Sequence, residues 1–260
     1  MYAFDVETPS SVAEAVAALK DEEATALGGG QTLIPTLKQR LAAPEKLVSL
    51  SGIAEMKGIS ADGGVLTIGG ATTHAEVAAQ TDFPALAALA GNIGDPAVRN
   101  RGTIGGSLAN NDPSACYPAA VLGTGATIVT NAREIAADDY FQGMFTTALE
   151  DGEIITAVKF PIPKAASYQK FDQPASRFAL VGVFVAQAAD GVRVAVTGAS
   201  EDGVFRWTEA EEALNKEFRS DALMDLNLNP ANMISDLHGT KEYRAHLAKV
   251  MTRRAINAIG

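Results

Sequence analysis

Hydrophobic and polar positions over the first fifty residues follow the pattern of a small α/β unit. Apolar residues recur at helical spacing over 12–19, and Ser10 or Ser11, which precede this segment, can cap the helix. Short apolar runs at 24–27 and 46–50 predict two strands, and the pattern over 33–41 predicts a helix between them. This strand–loop–helix–strand order is typical of a parallel pair of strands.

The pattern changes from about residue 58. It predicts strands at 65–68, 126–130 and 154–160, helices at 74–80 and 83–90, and a further connection beginning at 133–135. Between 91 and 113 a stretch rich in glycine and asparagine is longer than an ordinary connection. We therefore expect this stretch to be a functional loop.

Two prolines, Pro161 and Pro163, mark the predicted domain boundary. Beyond them the pattern predicts a hairpin of strands at 178–188 and 191–198 that turns at Asp190-Gly191, then helices at 208–215 and 243–259. Strands followed by helices indicate an α+β domain. The predicted domains are residues 1–162, with parts at about 1–56 and 57–162, and residues 163–260.

Charge and cysteine content exclude several classes of protein. A net charge of −10 argues against binding to nucleic acid or to an anionic membrane. One cysteine can form neither an internal disulfide nor an iron–sulfur cluster or cysteine zinc site, which need about four ligands. The first residues lack a signal-peptide pattern, and the longest apolar run, 178–186, is shorter than the roughly 20 residues of a membrane span. We expect a soluble, cytoplasmic protein.

The first segment with candidate chemistry is Gly28-Gly29-Gly30, between a predicted strand and a predicted helix. Glycine lets backbone N–H groups approach an oxyanion, and a helix N-terminus adds positive potential, so a phosphate or pyrophosphate is the natural ligand. No Gly-Lys-Ser/Thr follows, as a Walker A loop requires, and Leu33 stands where the Rossmann fingerprint has its third glycine. A tight turn that needs positive φ accounts for the glycines equally well.

The second such segment runs from Arg99 to Pro113 and contains three glycines, two hydroxyl side chains and several amides. Two loops of this kind favour a dinucleotide over a single phosphate. A plain surface loop is the weaker alternative, because long loops in compact domains are usually functional. His74 could present its imidazole to the same ligand, but an exposed histidine at a helix start is the simpler interpretation. The sequence has no metal-binding histidine spacing and no Gly-x-Ser-x-Gly elbow.

Three segments together resemble the FAD-binding medium subunit of molybdenum hydroxylases, the carbon monoxide dehydrogenase and xanthine dehydrogenase family. They are residues 28–35 (GGGQTLIP), 70–74 (GATTH) and 98–109 (VRNRGTIGGSLA). The similarity continues through 141–161 and the segment around Tyr243-Arg244, and so covers nearly the whole chain. The two glycine loops, in this order, are specific in combination.

The resemblance implies roles for individual residues. The first loop would cradle the FAD pyrophosphate with Leu27, Gly28, Gly29, Gly30, Gln31, Thr32 and Leu33. The second loop would close over the same phosphates with Thr103, Ile104, Gly105, Gly106 and Ser107. The other implied contacts are Asp112 near the ribityl chain or ring, Thr72 and Thr73 near the isoalloxazine, Ile93 and Ile154 as apolar contacts, and Lys170 as a basic residue that approaches the flavin.

Two further positions bear on the implied cofactor. Gln31 stands where relatives with covalently attached flavin have histidine, so the FAD would be held non-covalently. Cys116 stands where many relatives have a carboxylate, which puts one hydrogen bond to the cofactor in doubt. The simpler interpretation of Cys116 is a small buried apolar side chain.

The implied fold is α+β: a two-subdomain FAD-binding domain of the vanillyl-alcohol-oxidase (PCMH) type, followed by a small three-stranded α+β C-terminal domain. The implied function is electron transfer from iron–sulfur clusters through FAD to NAD, oxygen or a quinone, with no catalytic acid or base in this chain. The molybdenum cofactor and the clusters would belong to a large molybdenum-binding subunit and a small iron–sulfur subunit, in a doubled heterotrimer. The alternatives are a stand-alone flavin oxidoreductase, for which His74 or Tyr168 would be the acid or base, and a scaffolding subunit without cofactor.

Overall fold

The structure is a computed structural model that describes residues 1–259. Its first unit comprises β1 (Asp5–Glu7), α1 (Val12–Ala18), β2 (Ala24–Leu27), α2 (Leu33–Lys38) and β3 (Lys46–Ser49). The strands form a sheet in the order β1-β3-β2 with parallel pairing, which confirms the predicted parallel pair and adds β1. The side chain of Ser11 caps α1 by accepting a hydrogen bond from the Glu14 amide.

The second unit contains a larger sheet and most of the helices. Its elements are β4 (Ile59–Asp62), β5 (Val65–Gly69), α3 (His74–Ala79), α4 (Pro84–Gly91), α5 (Pro96–Arg99), α6 (Ile104–Asn110), α7 (Tyr117–Thr124), β6 (Thr127–Thr130), β7 (Glu134–Ala136), α8 (Ala137–Tyr140), β8 (Phe141–Gly143), β9 (Thr146–Thr147) and β10 (Ile155–Pro161). Five of its strands form an antiparallel sheet in the order β4-β5-β10-β6-β7, and β8 pairs with β9 separately.

Two predictions for this unit need correction. The segment 133–135 does not begin a plain connection: it leads into β7, which pairs with β6 at the edge of the sheet. The stretch 91–113 is not a long open loop, because it contains α5 and α6. Helix α6 forms in spite of its two glycines because the hydroxyl of Thr103 accepts a hydrogen bond from the amide of Gly106 at 3.2 Å.

The C-terminal unit is a sheet covered by helices. Its elements are β11 (Ala165–Asp172), β12 (Ala179–Ala188), β13 (Gly191–Ser200), β14 (Gly203–Arg206), α9 (Thr208–Lys216) and α10 (Lys241–Ile259). The strands lie in sequence order and pair antiparallel, so a short fourth strand joins the three that the family resemblance implies. The predicted hairpin at Asp190-Gly191 is confirmed.

The C-terminal sheet is buried on both faces. On one face Phe184 and Ala195 pack in the core that includes α7. On the other face Val183 and Val194 pack in the core formed with α9 and α10. Burial on both sides explains why residues 178–186, which include most of β12, form an uninterrupted apolar run instead of alternating apolar and polar residues. Among residues 1–259, no helix is long and apolar enough to cross a membrane.

Candidate functional site

A cavity of about 590 Å³ lies where the three units meet. Its volume falls within the range of about 300–1,000 Å³ that is typical of small-molecule and cofactor sites. The lining includes both glycine loops, the segment 114–116 and the residues Ser176, Arg177 and Phe178. Each unit therefore contributes part of the wall.

The first glycine loop follows β2 at the carboxyl edge of the parallel sheet. Gly30 has a left-handed φ of +73°. A Cβ on Gly29 would lie 1.9 Å from the carbonyl oxygen of Arg101, so only glycine fits where the first loop approaches the second. This close approach brings the two glycine loops to the same end of the cavity.

The second glycine loop is held by the segment that follows β5. The amide of Gly105 donates to the carbonyl of Gly70 at 2.9 Å, and the amide of Ile104 donates to the carbonyl of Thr72 at 3.1 Å. A Cβ on Gly105 would lie 2.6 Å from the oxygen of Gly70. The residue after β5 and the start of α6 thus pack backbone against backbone.

Most of the site residues expected from the sequence come together in this lining. They are Leu27, Gly28, Gly29, Gly30, Gln31, Thr32, Leu33, Ile93, Thr103, Gly105, Gly106, Ser107, Asp112 and Ile154. Four expected residues lie outside the lining: Thr72, Thr73, Ile104 and Lys170.

The two threonines have other hydrogen-bond partners. The hydroxyl of Thr72 is fully buried and lies 3.1 Å from both the amide and the carbonyl of Gly58. The hydroxyl of Thr73 caps α3 in a reciprocal capping box with Glu76. Gly70 and Ala71 line the cavity in their place, and Ile104 packs in the core behind it. These side chains thus lie outside the lining, and their contact with the cofactor stays a prediction.

Lys170 supports the wall from behind. Its side chain is 1% exposed and forms an ion pair with Asp172 at 2.9 Å. The ammonium donates to the carbonyls of Asn92, at 2.6 Å, and Arg177, at 2.8 Å. These carbonyls lie next to the lining residues Ile93 and Phe178, so Lys170 fixes two wall segments instead of facing the cavity.

Cys116 lines the cavity and is also nearly buried, with 6% of its surface exposed. Burial raises the pKa of its thiol, which keeps the sulfur protonated and uncharged. The ammonium of Lys170 lies 3.9 Å from the sulfur. The residue is thus both the small buried side chain expected from the sequence and a part of the cavity wall.

The segment next to Cys116 is held by the C-terminal sheet. The hydroxyl of Thr197 donates to the carbonyls of Pro113, at 3.0 Å, and Ala115, at 2.8 Å. The amide of Gly198 also donates to the carbonyl of Pro113, at 2.7 Å. Strand β13 therefore sets the position of a wall segment that belongs to the second unit.

Two carboxylates lie in the lining and differ in their surroundings. Burial raises the pKa of Asp112, whose carboxylate accepts a hydrogen bond from the amide of Ser114 at 2.8 Å. Burial also acts against ionisation of Glu153, but hydrogen bonds from Arg133 and Thr130 outweigh it and lower the pKa of Glu153. Glu153 is therefore committed to a structural ion pair, whereas Asp112 is the carboxylate available to a ligand.

His74 differs from its expected exposed position. It is only 5% exposed, it lines the cavity, and its Nδ1 has no hydrogen-bond partner within residues 1–259. Burial, reinforced by the positive charge of Arg99, lowers its pKa to about 4. The imidazole is therefore neutral at physiological pH.

The sequence analysis missed several lining residues. Gly70 and Ala71 stand within a quoted motif and could have been found there, since paired glycines after a strand indicate close backbone approach. Ser176, Arg177 and Phe178 had no such signal, because the C-terminal unit brings them to the cavity from far along the chain. Within residues 1–259, no group of three or more histidine, cysteine or acidic residues is placed to hold a metal ion.

The residues present fit a dinucleotide cofactor. The two glycine loops form a cradle in which Cβ atoms would collide with neighbouring backbone, and the buried Nδ1 of His74 lacks a partner that a ligand could supply. Phosphate groups are commonly bound by such glycine-rich backbone at the start of a helix.

Comparisons with known proteins agree with this geometry. The family described as "FAD binding domain in molybdopterin dehydrogenase" matches residues 2–163, and the family described as "CO dehydrogenase flavoprotein C-terminal domain" matches residues 166–259. The carbon monoxide dehydrogenase medium chain of Afipia carboxidovorans is 36% identical over 277 residues, covering 97% of this chain and 95% of that protein.

Two further relatives are also similar over nearly the whole chain. The nicotine 6-hydroxylase medium subunit of Paenarthrobacter nicotinovorans is 33% identical, covering 97% of this chain and 96% of that protein. The structure of reconstituted CO dehydrogenase from Oligotropha carboxidovorans superposes with a TM-score of 0.89 at 32% identity, covering 98% of this chain and 97% of that chain.

Proposed function

The chain belongs to the family of FAD-binding medium subunits of molybdenum hydroxylases, and we propose that it passes electrons from iron–sulfur clusters of a partner subunit through non-covalently bound FAD to an external acceptor. It is a flavoprotein oxidoreductase subunit. The observation that carries the proposal is the meeting of the two glycine loops at one end of a cofactor-sized cavity.

The residues have distinct tasks in this proposal. The backbone of the first loop (27–33) and of the second loop (Thr103 and 105–107) binds the FAD pyrophosphate. Ile93 and Ile154 give apolar contact, and Asp112 offers a carboxylate to the ribityl or ring region. Lys170 orients the wall segments at Asn92 and Arg177. When bound, FAD supplies the redox chemistry, and the chain supplies position, partial exclusion of water and local charge.

The partners follow from the same proposal. One cysteine cannot supply the thiolates of an iron–sulfur cluster, so the clusters would belong to a small subunit and the molybdenum cofactor to a large subunit. A doubled heterotrimer, a cytoplasmic location and the choice of acceptor among NAD, oxygen and quinones stay predictions. Purification of the complex from its source, with metal analysis of each subunit, would test the partners.

Flavin retention by the purified full chain tests the cofactor proposal. The expected result is that the chain mixed with FAD and passed through gel filtration keeps flavin absorbance near one equivalent. A colourless protein that gains no flavin would contradict the proposal. Turnover of an organic substrate by the chain alone would favour a stand-alone oxidoreductase instead.

The substitution Gly29→Ala tests where the pyrophosphate binds. The new Cβ would lie 1.9 Å from the oxygen of Arg101 and force the loops apart, so FAD affinity should fall by at least about tenfold. The matched control is Gly91→Ala, whose Cβ would be 3.9 Å from its nearest neighbour and which lies outside the lining. Fluorescence titration with FAD measures both. Equal affinity of the two variants would show that the pyrophosphate binds elsewhere.

A further inference from the structure

His74 carries a buried ring nitrogen that the chain itself leaves unused. His74 is buried, with 5% of its surface exposed, and its Nδ1 has no partner within residues 1–259. Buried polar atoms are almost always hydrogen-bonded, and the exceptions call for an explanation. Because His74 also lines the cavity, a ligand in the cavity is a direct source of the missing partner.

The backbone holds the imidazole beside the second glycine loop. The amide of His74 donates to the carbonyl of Gly102 at 2.9 Å. A Cβ on Gly102 would lie 2.5 Å from Nε2, so the absence of a side chain at 102 makes room for the ring. Gly102 directly precedes Thr103, where the second loop begins, and it also lines the cavity. The ring therefore stands at the end of the cavity where the two loops meet.

The surroundings of the ring do not suit an acid–base role. Its aromatic neighbour is Tyr117, with ring centroids 5.3 Å apart, and burial raises the pKa of that phenol well above its usual range. The charged group that acts on His74 is Arg99, whose positive charge opposes protonation of the ring. A neutral imidazole has one donor and one acceptor nitrogen, which suits a fixed hydrogen bond better than proton transfer.

We propose that His74 binds the FAD cofactor directly, by donating a ring N–H to an oxygen of its diphosphate or adjoining ribityl segment. This inference rests on the proposed FAD function. It assigns a side-chain contact at a position where the sequence alone favoured an exposed histidine. It also accounts for the glycine at position 102, since any side chain there would displace the imidazole of His74.

Three substitutions of His74 separate hydrogen bonding from packing. His74→Leu introduces an apolar side chain of similar size, His74→Gln places an amide near the position of Nε2, and His74→Asn places one near Nδ1. We expect His74→Leu to weaken FAD binding by at least about tenfold, and at least one amide variant to stay within about threefold of the wild type. The matched control is His246→Leu, on the exposed side of α10.

The outcomes distinguish this inference from the proposed function. If the wild-type chain binds no FAD, the proposed function fails. If the wild type binds FAD and a folded His74→Leu variant binds it equally well, the inference about His74 is wrong. Equal loss of affinity in all three variants would also overturn it, because that result indicates a purely structural role. Thermal unfolding of each apo variant verifies that it folds.

Nuclear magnetic resonance of ¹⁵N-labelled histidine gives an independent readout. The chain has three histidines, so the spectrum of the imidazoles is simple to assign. We expect FAD to produce a ring N–H signal of His74 that exchanges slowly with water, with no change for His238 or His246. A His74 signal that is the same with and without FAD would contradict a direct hydrogen bond.

Discussion

At the scale of single residues, His74 should make the stability of the chain depend on pH. Burial and Arg99 lower its pKa from 6.5 to about 4 in the folded chain. Between these values the unfolded chain binds more protons than the folded chain. The stabilisation is therefore complete above the unfolded pKa and is lost as the pH falls toward the folded pKa.

The size of this effect can be measured against a variant that does not titrate. From about pH 7.5 to about pH 4.5, the wild type should lose about 2.5 kcal/mol more of its free energy of unfolding than His74→Gln does. Urea unfolding of both proteins at the two pH values gives the difference, and the contributions of the carboxylates cancel. Parallel loss in both proteins would mean that the imidazole is not shielded from water.

The glycine loops show what a sequence encodes at this scale. Their role was predictable because a glycine requirement is a property of the local backbone, as at Gly29 and Gly30. The direction in which a side chain points, in contrast, depends on partners that are distant in the sequence. Thr72 turns away from the cavity because Gly58, fourteen positions earlier, supplies both of its hydrogen-bond partners.

At the scale of elements, we expect the capping box of α3 to contribute to the stability of the chain but not to cofactor binding. The hydroxyl of Thr73 accepts from the amide of Glu76, and the carboxylate of Glu76 accepts from the amide and the hydroxyl of Thr73. Thr73→Ala should therefore lower the free energy of unfolding by about 1 kcal/mol. FAD affinity should change by less than about threefold, because the side chain lies outside the lining.

Denaturant unfolding and flavin titration of Thr73→Ala test both parts. The control is Thr208→Ala, an exposed residue at the start of α9 whose side chain does not cap that helix. A loss of affinity above about tenfold in a stable Thr73→Ala variant would place this hydroxyl on the cofactor, as the family resemblance implies.

Helix α7 is missed by the sequence analysis because its burial hides its pattern. All eight residues of α7 are buried, so the helix has no polar face to produce a period of 3.6 residues. Strand β7 has three residues, which is too short for alternation to be seen. The helices α1 and α3 were predictable because each has one buried face and a capping residue in the sequence.

At the scale of the whole molecule, the C-terminal sheet supports the cavity wall although none of its strand residues lines the cavity. Thr197→Val keeps the shape of the side chain but removes the donor that holds the carbonyls of Pro113 and Ala115. The free energy of unfolding should fall by about 1–3 kcal/mol, and FAD affinity should weaken severalfold although Thr197 lies outside the lining. Calorimetry and flavin titration measure the two effects. Lost stability with unchanged affinity would show that this wall segment does not bear on the cofactor.

The division into domains at about residue 162 stays a proposal. Phe184 of the C-terminal sheet packs in the core of the second unit, in an edge-to-face contact with Phe83 at 6.2 Å. Because that core is shared across the boundary, we expect residues 1–162 and 163–260 to unfold in one transition. The prolines predict the boundary. The shared core, in contrast, depends on which face of β12 meets α7, and a strand that is apolar on both faces does not specify this.

Alkylation of Cys116 offers a way to measure the fraction of chains that hold the cofactor. It is the sole thiol in the sequence and it lines the cavity, so we expect a bound cofactor to shield it from the solvent. Because burial keeps the sulfur protonated, alkylation should be slow but should attach a single mass increment to the intact protein. FAD should slow that increment in proportion to the fraction of chains loaded. Intact-mass spectrometry could then count loaded chains within an assembled complex, where absorbance from the metal centres of other subunits would obscure the flavin.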